Sequence, residues 1–478
     1  MVLKIPIVGL AFLICITLVL GEEILLNLNY ISLYVTGILI ITMSCVNSAY
    51  SRVVTLVLLV FFFVRNLQLM AYPERFTYNL ASNTSEALAY TTTVLAFFAL
   101  AIGAGSFIGI TLARNRKTFI PTRLLPFEDY VRSPKLYFKI AMLIFTLANF
   151  TLITLRITSG SGMPGLNNYL DATTGYFIVL LRIFQPLSIS IVVYYLAFKK
   201  EKDHPSWVPR MGVVVCFLAA VLSFSKAGLL YFMLPFFLYF LVSGIAIPRK
   251  MLIYGTLLIG LSVFVYGALM GAIRAVYSGY LVGKGENLEI DIYSILTEGG
   301  VRFMDRVGSS FDVIHGVLGN LDQFKAQSNL FGQFATTLNH YIPGEIIAVG
   351  DHTLVGHLLP VLLRGTSLEN IGGYGENINS IGIALVSFDF VPALIFIFLV
   401  AMFGAIVFYH LKSTAARVFI LIFLITNLSN GGELGSYIEP LLFFFTSHVL
   451  VLLLYLFAIQ FDGSRYRSGK NTDNSTWS

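Results

Sequence analysis

The run SIGIALVSFDFVPALIFIFLVAMFGAIVFY, residues 380–409, is almost uninterruptedly apolar over thirty positions. About 20 such residues in a helix cross the ~30 Å hydrocarbon core of a bilayer, so this stretch reads as a membrane span. Further apolar windows of comparable character lie at 5–20, 31–48, 53–70, 88–112, 136–155, 176–198, 211–224, 228–247, 251–272, 416–430 and 438–461. The expected fold is an all-α polytopic integral membrane protein with about 12 transmembrane helices. Composition agrees, since 57% of the 478 residues are hydrophobic and 12% are charged, whereas a soluble domain carries roughly 25% charged residues.

An even number of spans puts both termini on one side, and the distribution of Lys and Arg chooses which. The loops and ends on the N-terminal side hold 20 of the 31 bases and 6 of the 25 acids, a balance of +14; everything else holds 11 bases and 19 acids, or −8. Both termini are therefore expected in the cytoplasm. The net charge of +6 is an orientation signal and gives no support to nucleic acid as a partner. Cys15, Cys45 and Cys216 fall in apolar runs with no CxxC or Cys/His cluster, which argues against a disulfide framework or zinc site. Lys4 precedes an apolar stretch without a small-residue cleavage site, so the N-terminus reads as a retained first helix.

The expected organisation is helices 1–9 in residues 1–272, a large non-cytoplasmic loop at 273–378, helices 10–12 in 379–461 and a disordered cytoplasmic tail at 462–478. Loops beyond about 15 residues are uncommon and usually functional. Apolar patches at Ile290–Leu296, Phe331–Phe334 and Leu354–Leu363 suggest short amphipathic helices packed on the membrane face. Val301, Met304, Val307, Phe311, Ile314 and Leu318 recur at helical spacing, which leaves Arg302, Asp305, Arg306, Ser309 and Asp312 on the opposite face.

Arg302 and Arg306, four residues apart, put two guanidinium forks on one face, an arrangement suited to a diphosphate; the plainer reading is a solvated face neutralised by Asp305 and Asp312. Arg65, Arg156, Arg182, Lys226 and Arg274 lie within or at the outer ends of spans, where ionisable groups are costly and hence candidates for function. Lys226 sits in the turn Ser223-Phe224-Ser225-Lys226-Ala227-Gly228 with two hydroxyls, its alternative being snorkelling to headgroups. For Arg65, Arg156 and Arg182 the favoured reading is snorkelling or pairing with an intramembrane acid. Proton acceptors on the same side are His315, His340, His352, His357, Asp312, Glu345 and Glu376, with Glu433 and Glu439 at the last outward turn. None has metal-ligand spacing, and P-loop, GxGxxG and GxSxG patterns are absent.

Four features together resemble the Wzy-type polymerases of bacterial polysaccharides: the many spans, the long outward loop before the last helices, the Ser-x-Ser-Lys turn, and the loop end Glu376-Asn377-Ile378-Asn379-Ser380-Ile381-Gly382, which is similar to an Asn-x-Asn box leading into the next span. The resemblance implies a membrane-embedded GT-C-type glycosyltransferase of the bacterial inner membrane that joins undecaprenyl-diphosphate-linked repeat units into O-antigen or capsular polysaccharide. It implies a lipid-linked oligosaccharide as both donor and acceptor, membrane lipid around it, no cofactor, no metal, and a chain-length regulator and a flippase as candidate partners.

On that reading Arg302, Arg306, Lys226 and Arg274 would hold the diphosphate. Glu376, then His315, are the candidate catalytic bases, and Asn377, Asn379, Tyr277 and Tyr280 are candidates for sugar binding. The alternative for the Asn pair is capping of the following helix. An O-antigen ligase is the nearest rival, disfavoured because the loop-end box lacks a histidine. A lipid-linked oligosaccharide flippase is the rival from another class, disfavoured because paired halves are not evident.

Overall fold

The computed structural model describes residues 48–71, 85–115, 123–158, 177–200 apart from 179, 207–222, 226–247, 310–341, 355–364, 378–430 and 435–470, with single positions at 249, 253, 257 and 353. Among these residues the protein is all-α, with fourteen α-helices and one isolated bridge between Arg123 and Ser413. In chain order they are α1 Ala49–Leu58, α2 Val64–Ala71, α3 Ser85–Asn115, α4 Pro134–Thr158, α5 Leu187–Lys200, α6 Trp207–Leu222 and α7 Lys226–Ser243. The remainder are α8 Leu321–Gln327, α9 Leu330–Tyr341, α10 Val355–Arg364, α11 Ser380–Ser387, α12 Phe390–His410, α13 Thr414–Asn430 and α14 Gly435–Lys470. Residues 310–319 form a further helical segment.

Six helical stretches are long and apolar enough to cross a membrane: Ala49–Asn66, Glu86–Arg114, Pro134–Leu155, Leu180–Phe198, Phe390–His410 and Ile438–Gln460. Trp207–Val221, Phe232–Ser243 and Thr414–Ser429 are shorter apolar helices. Windows 5–20, 31–48 and 251–272 lie outside the described residues, except at a few positions. Large apolar side chains such as Leu56, Leu143, Leu147, Phe150, Phe403 and Phe457 are exposed, while Ser, Thr and Asn side chains are buried inside. Exposed apolar bands of this kind need an apolar surrounding, which fits a multi-pass membrane protein.

The run that decides the fold is not one helix. It breaks at Phe388 and Asp389, both in extended conformation. The eight residues of α11 are buried end to end apart from Ser387, whereas the 21-residue α12, about 32 Å long, is the span. Apolarity alone cannot separate a buried helix from a lipid-facing one, which is why 380–409 reads as continuous in sequence. A second correction concerns the tail: α14 continues to Lys470, nine residues into the stretch expected to be disordered.

The chain divides into two compact units. In the first, α3 and α12 run parallel. Phe97 and Phe98 meet Phe390 edge-on at 5.9 and 6.0 Å, and Arg114 donates to Tyr409 Oη at 3.5 Å near the other end. Glycines permit this approach, for a Cβ on Gly105 would collide with the Phe398 carbonyl oxygen and one on Gly109 with that of Met402, the close packing that small residues four apart allow between spans. Helix α1 joins through Tyr50, which donates to Ala401 O at 3.2 Å and fills the space over Gly404.

The second unit holds α4 to α7 and most of α14. Phe138 stacks on Tyr194 at 4.6 Å between α4 and α5. At one end the Arg123–Leu124 strand-like segment pairs with residues 412–415 through backbone bonds from Arg123 N to Lys412 O at 2.6 Å and from Ala415 N to Leu124 O at 3.4 Å.

Replacing Gly105 by Leu is expected to lower the melting temperature of the purified protein in detergent by several degrees, since overpacking costs about 1–3 kcal/mol. Leu100→Ala, at an exposed position of the same helix, should leave it within about 1 °C. Differential scanning fluorimetry of the two variants makes the comparison.

Candidate functional site

The first unit contains a buried polar centre built from α2, α3, residues 310–319, α11 and α13. Its cation is Arg65. The helix entering from α1 widens to a π turn at Leu59–Phe63, and such a turn shifts the angular register of the residues after it. Arg65 and Asn66 come next, both buried at 1% and 2% exposure. Arg65 Nε donates to Asp312 Oδ1 at 3.1 Å and Nη2 to Oδ2 at 2.7 Å. This is the planar two-bond fit that guanidinium and carboxylate favour, and it settles Arg65 in favour of pairing, with an acid contributed by the loop.

The neighbouring bonds use hydroxyls of α3. Asn66 Nδ2 donates to Thr92 Oγ1 at 2.7 Å, and Thr91 Oγ1 lies 2.7 Å from His315 Nδ1. Thr91 Oγ1 also lies 3.0 Å from Ala87 O, so its one hydrogen serves either the carbonyl or the ring, and the tautomer of His315 follows from that choice. Burial pushes the His315 pKa down to about 4, against the opposing pull of Asp312, and the imidazole is neutral at pH 7.

The same segment is fastened from its other end. Ser310 Oγ donates to Ser429 O, and Asn379 Nδ2 donates to Ser310 O at 2.8 Å. Asn379 Oδ1 accepts from Gly382 N at 2.9 Å, so Asn379 is the N-cap of α11, as the capping alternative has it. With a bond at each end of its amide and 1% exposure, it positions the loop end. Ser380 Oγ donates to Asn427 O at 2.6 Å.

This packing corrects the expected amphipathic helix. Phe311, Asp312, Val313, Ile314, His315 and Val317 are all buried, and the polar face meets Arg65 and Thr91. Gly316 lies so close to Leu363 of α10 that a Cβ there would strike its methyls. Val355, Leu358, Leu359 and Leu363 are buried in turn, so the Leu354–Leu363 patch belongs mainly to the protein interior and not to the membrane face.

The height of the centre comes from the α3–α12 register. Thr91 precedes Phe97 by six residues, and Phe97 is level with Phe390 at the start of α12. At 1.5 Å per residue Thr91 stands about 9 Å further along the axis of α3 than Phe97, towards the end of that helix opposite Arg114.

Of the residues singled out in sequence, His315 and Asn379 are thus brought into one centre. Lys226 starts α7 in the second unit. Arg274, Tyr277, Tyr280, Arg302, Arg306, Glu376 and Asn377 lie outside the described residues. Thr91, Thr92, Asn66 and Asn427 belong to the centre and are not singled out by the sequence; the signals are the Arg65-Asn66 pair ending an apolar window and the triplet Thr91-Thr92-Thr93 inside another. His448 is a further residue of this kind. It is buried in the second unit, with Nδ1 2.6 Å from Phe444 O and Nε2 2.6 Å from Ser190 Oγ. A carbonyl only accepts, so Nε2 takes the Ser190 proton, which joins α14 to α5. Among the described residues there is no cluster of His, Cys, Asp and Glu that could hold a metal ion.

Comparison of the chain with family models, with curated proteins and with solved structures returns no match.

Breaking the buried pair from one side leaves an uncompensated charge. Asp312→Asn or Arg65→Met should each cost about 3–5 kcal/mol of stability, while the double variant Arg65→Met with Asp312→Leu should recover most of the loss; thermal unfolding of the three in detergent measures the coupling. Because the folded pKa of His315 is depressed, the unfolded chain binds the extra proton first. Stability contributed by the neutral ring is therefore full above about pH 6.5 and is lost as pH falls toward 4, amounting to about 3 kcal/mol. His315→Gln should flatten that part of the melting temperature against pH profile.

Proposed function

We propose that the chain is a multi-pass glycosyltransferase of the Wzy polymerase type, acting at the outer face of a bacterial cytoplasmic membrane on undecaprenyl-diphosphate-linked repeat units. On this reading there are about 12 spans, the segment 273–378 is non-cytoplasmic and both termini face the cytoplasm. The observation that supports the proposal is His315, buried in a polar centre on a loop segment that the Arg65–Asp312 pair fastens to α2. Transfer from a lipid diphosphate requires a base on such a loop, and a loop merely resting on the surface would have no reason to bury an ion pair.

In the reaction, a hydroxyl at the non-reducing end of the acceptor attacks the anomeric carbon of the donor glycan. Its proton passes to the base, the carbon–oxygen bond to the diphosphate breaks, and undecaprenyl diphosphate leaves with the electron pair. His315 is the base the described residues support; Glu376 keeps that candidacy from sequence alone. The neutral ring of His315 at pH 7 is the state a base needs. Arg302, Arg306 and Arg274 remain the groups assigned to the departing diphosphate, where cations stabilise developing charge. Asn377, Tyr277 and Tyr280 remain the sugar contacts, while Asn379 serves as a positioning residue.

Purified full-length protein in liposomes, supplied with a defined undecaprenyl-diphosphate repeat unit, should give a ladder of longer lipid-linked glycans with or without chelator. His315→Ala should reduce its rate per folded molecule by about 10²–10⁴-fold, the usual worth of a general base. Unchanged lipid-linked monomer with the wild-type protein, or a wild-type rate from His315→Ala, contradicts the assignment.

A further inference from the structure

Helix α9 presents an apolar face that no described residue of its unit covers. Leu330, Phe331 and Phe334 are exposed at 36%, 64% and 40%, while Gly332, Gln333 and Ala335 on the other face are buried. Two bonds set the height of this face. Gln333 Nε2 donates to Ser387 Oγ at 3.2 Å, in the last turn of α11. Lys325 Nζ, on the preceding α8, donates to Asp389 Oδ1 at 2.8 Å, at the residue that caps α12. Both anchors lie within three residues of Phe390, where the span α12 begins. Val391 and Ile395 of α12 are themselves exposed, at 62% and 54%, as lipid-facing residues of a span are.

We infer that α9 is an interfacial helix, its Leu330, Phe331 and Phe334 face embedded in the acyl chains of the leaflet next to the start of α12. Twelve residues are too few to cross the hydrocarbon core, so an apolar face at this depth can only lie along the boundary. Exposed aromatic rings beside charged groups such as Lys325 and Asp389 are what interfacial helices carry, and aromatic side chains concentrate at that level. The partner is bilayer lipid, because the two anchors tie this helix to the residues at the start of α12, whose own exposed residues Val391 and Ile395 are apolar. The inference depends on α12 being a span and is independent of the glycosyltransferase reading.

The test places a single tryptophan at the face. In full-length protein with Trp207→Phe and Trp477→Phe, Phe331→Trp and Phe334→Trp are each reconstituted into liposomes of phosphatidylcholine and of its dibrominated analogue. Both residues are exposed, so the substitutions leave the interior packing intact. The expected result is blue-shifted emission at both positions, with at least a twofold quenching by brominated acyl chains and little by aqueous iodide. Asp322→Trp, on the polar surface of α8, should show the reverse. Emission quenched by iodide and untouched by brominated lipid would overturn the inference in favour of a solvent-facing helix. Emission quenched by neither, together with two copies per nanodisc, would overturn it in favour of a second copy of the chain.

Discussion

The buried ion pair between Arg65 and Asp312 constrains everything around it. Both side chains are removed from solvent, and in an interior of low polarity a lone guanidinium or carboxylate is far too costly to leave unpaired. The segment at 310–319 must therefore enter the bundle wherever α2 presents Arg65. Once it is there, Asn66 bonds to Thr92, His315 to Thr91 and Asn379 to Ser310. Replacing the pair by apolar residues of equal volume would cost little or nothing in stability by itself. Its physical effect is one of register, since a two-bond fork admits few orientations of the helix that carries the carboxylate.

A membrane protein gains little from burying apolar surface, because lipid is as apolar as its own side chains. Close contact and polar bonds then decide the packing. The parallel α3–α12 pair uses the first of these, through Gly105 and Gly109 against the carbonyls of Phe398 and Met402. The polar centre uses the second. The 31 residues of α3 exceed what a bilayer needs, and the excess supplies Thr91 and Thr92 to the loop.

The helices and their apolar windows were legible in sequence because hydrophobic runs of about 20 residues report directly on the bilayer. The spans at 88–112, 136–155 and 438–461 each have a helix of matching position. What the pattern could not show was which apolar residues face lipid and which face protein. Residues 380–409 illustrate this, as α11 and α12 are equally apolar although one is buried and the other is a span. Arg65 was recognisable as a costly cation, but its partner lies 247 positions away and no local rule connects them. Asp312 looked like part of a solvated face because helical periodicity places it opposite Phe311 and Ile314; it is buried because a second polar surface covers it. Asn379 was visible as a loop-end residue and a capping candidate, and local geometry decided between its roles.

The segment carrying His315 is docked on α3 through Thr91. Cysteines at 91 and 315, in place of Thr91 and His315, test it directly when a protease site is inserted between α3 and residue 310 and membranes of the full-length chain are oxidised. The account predicts that the two fragments stay joined after cleavage until reductant is added, and that a control pair of cysteines at 100 and 315 does not join them. Fragments that separate without reductant for the 91–315 pair, under conditions that oxidise an exposed cysteine pair elsewhere in the chain, would contradict it.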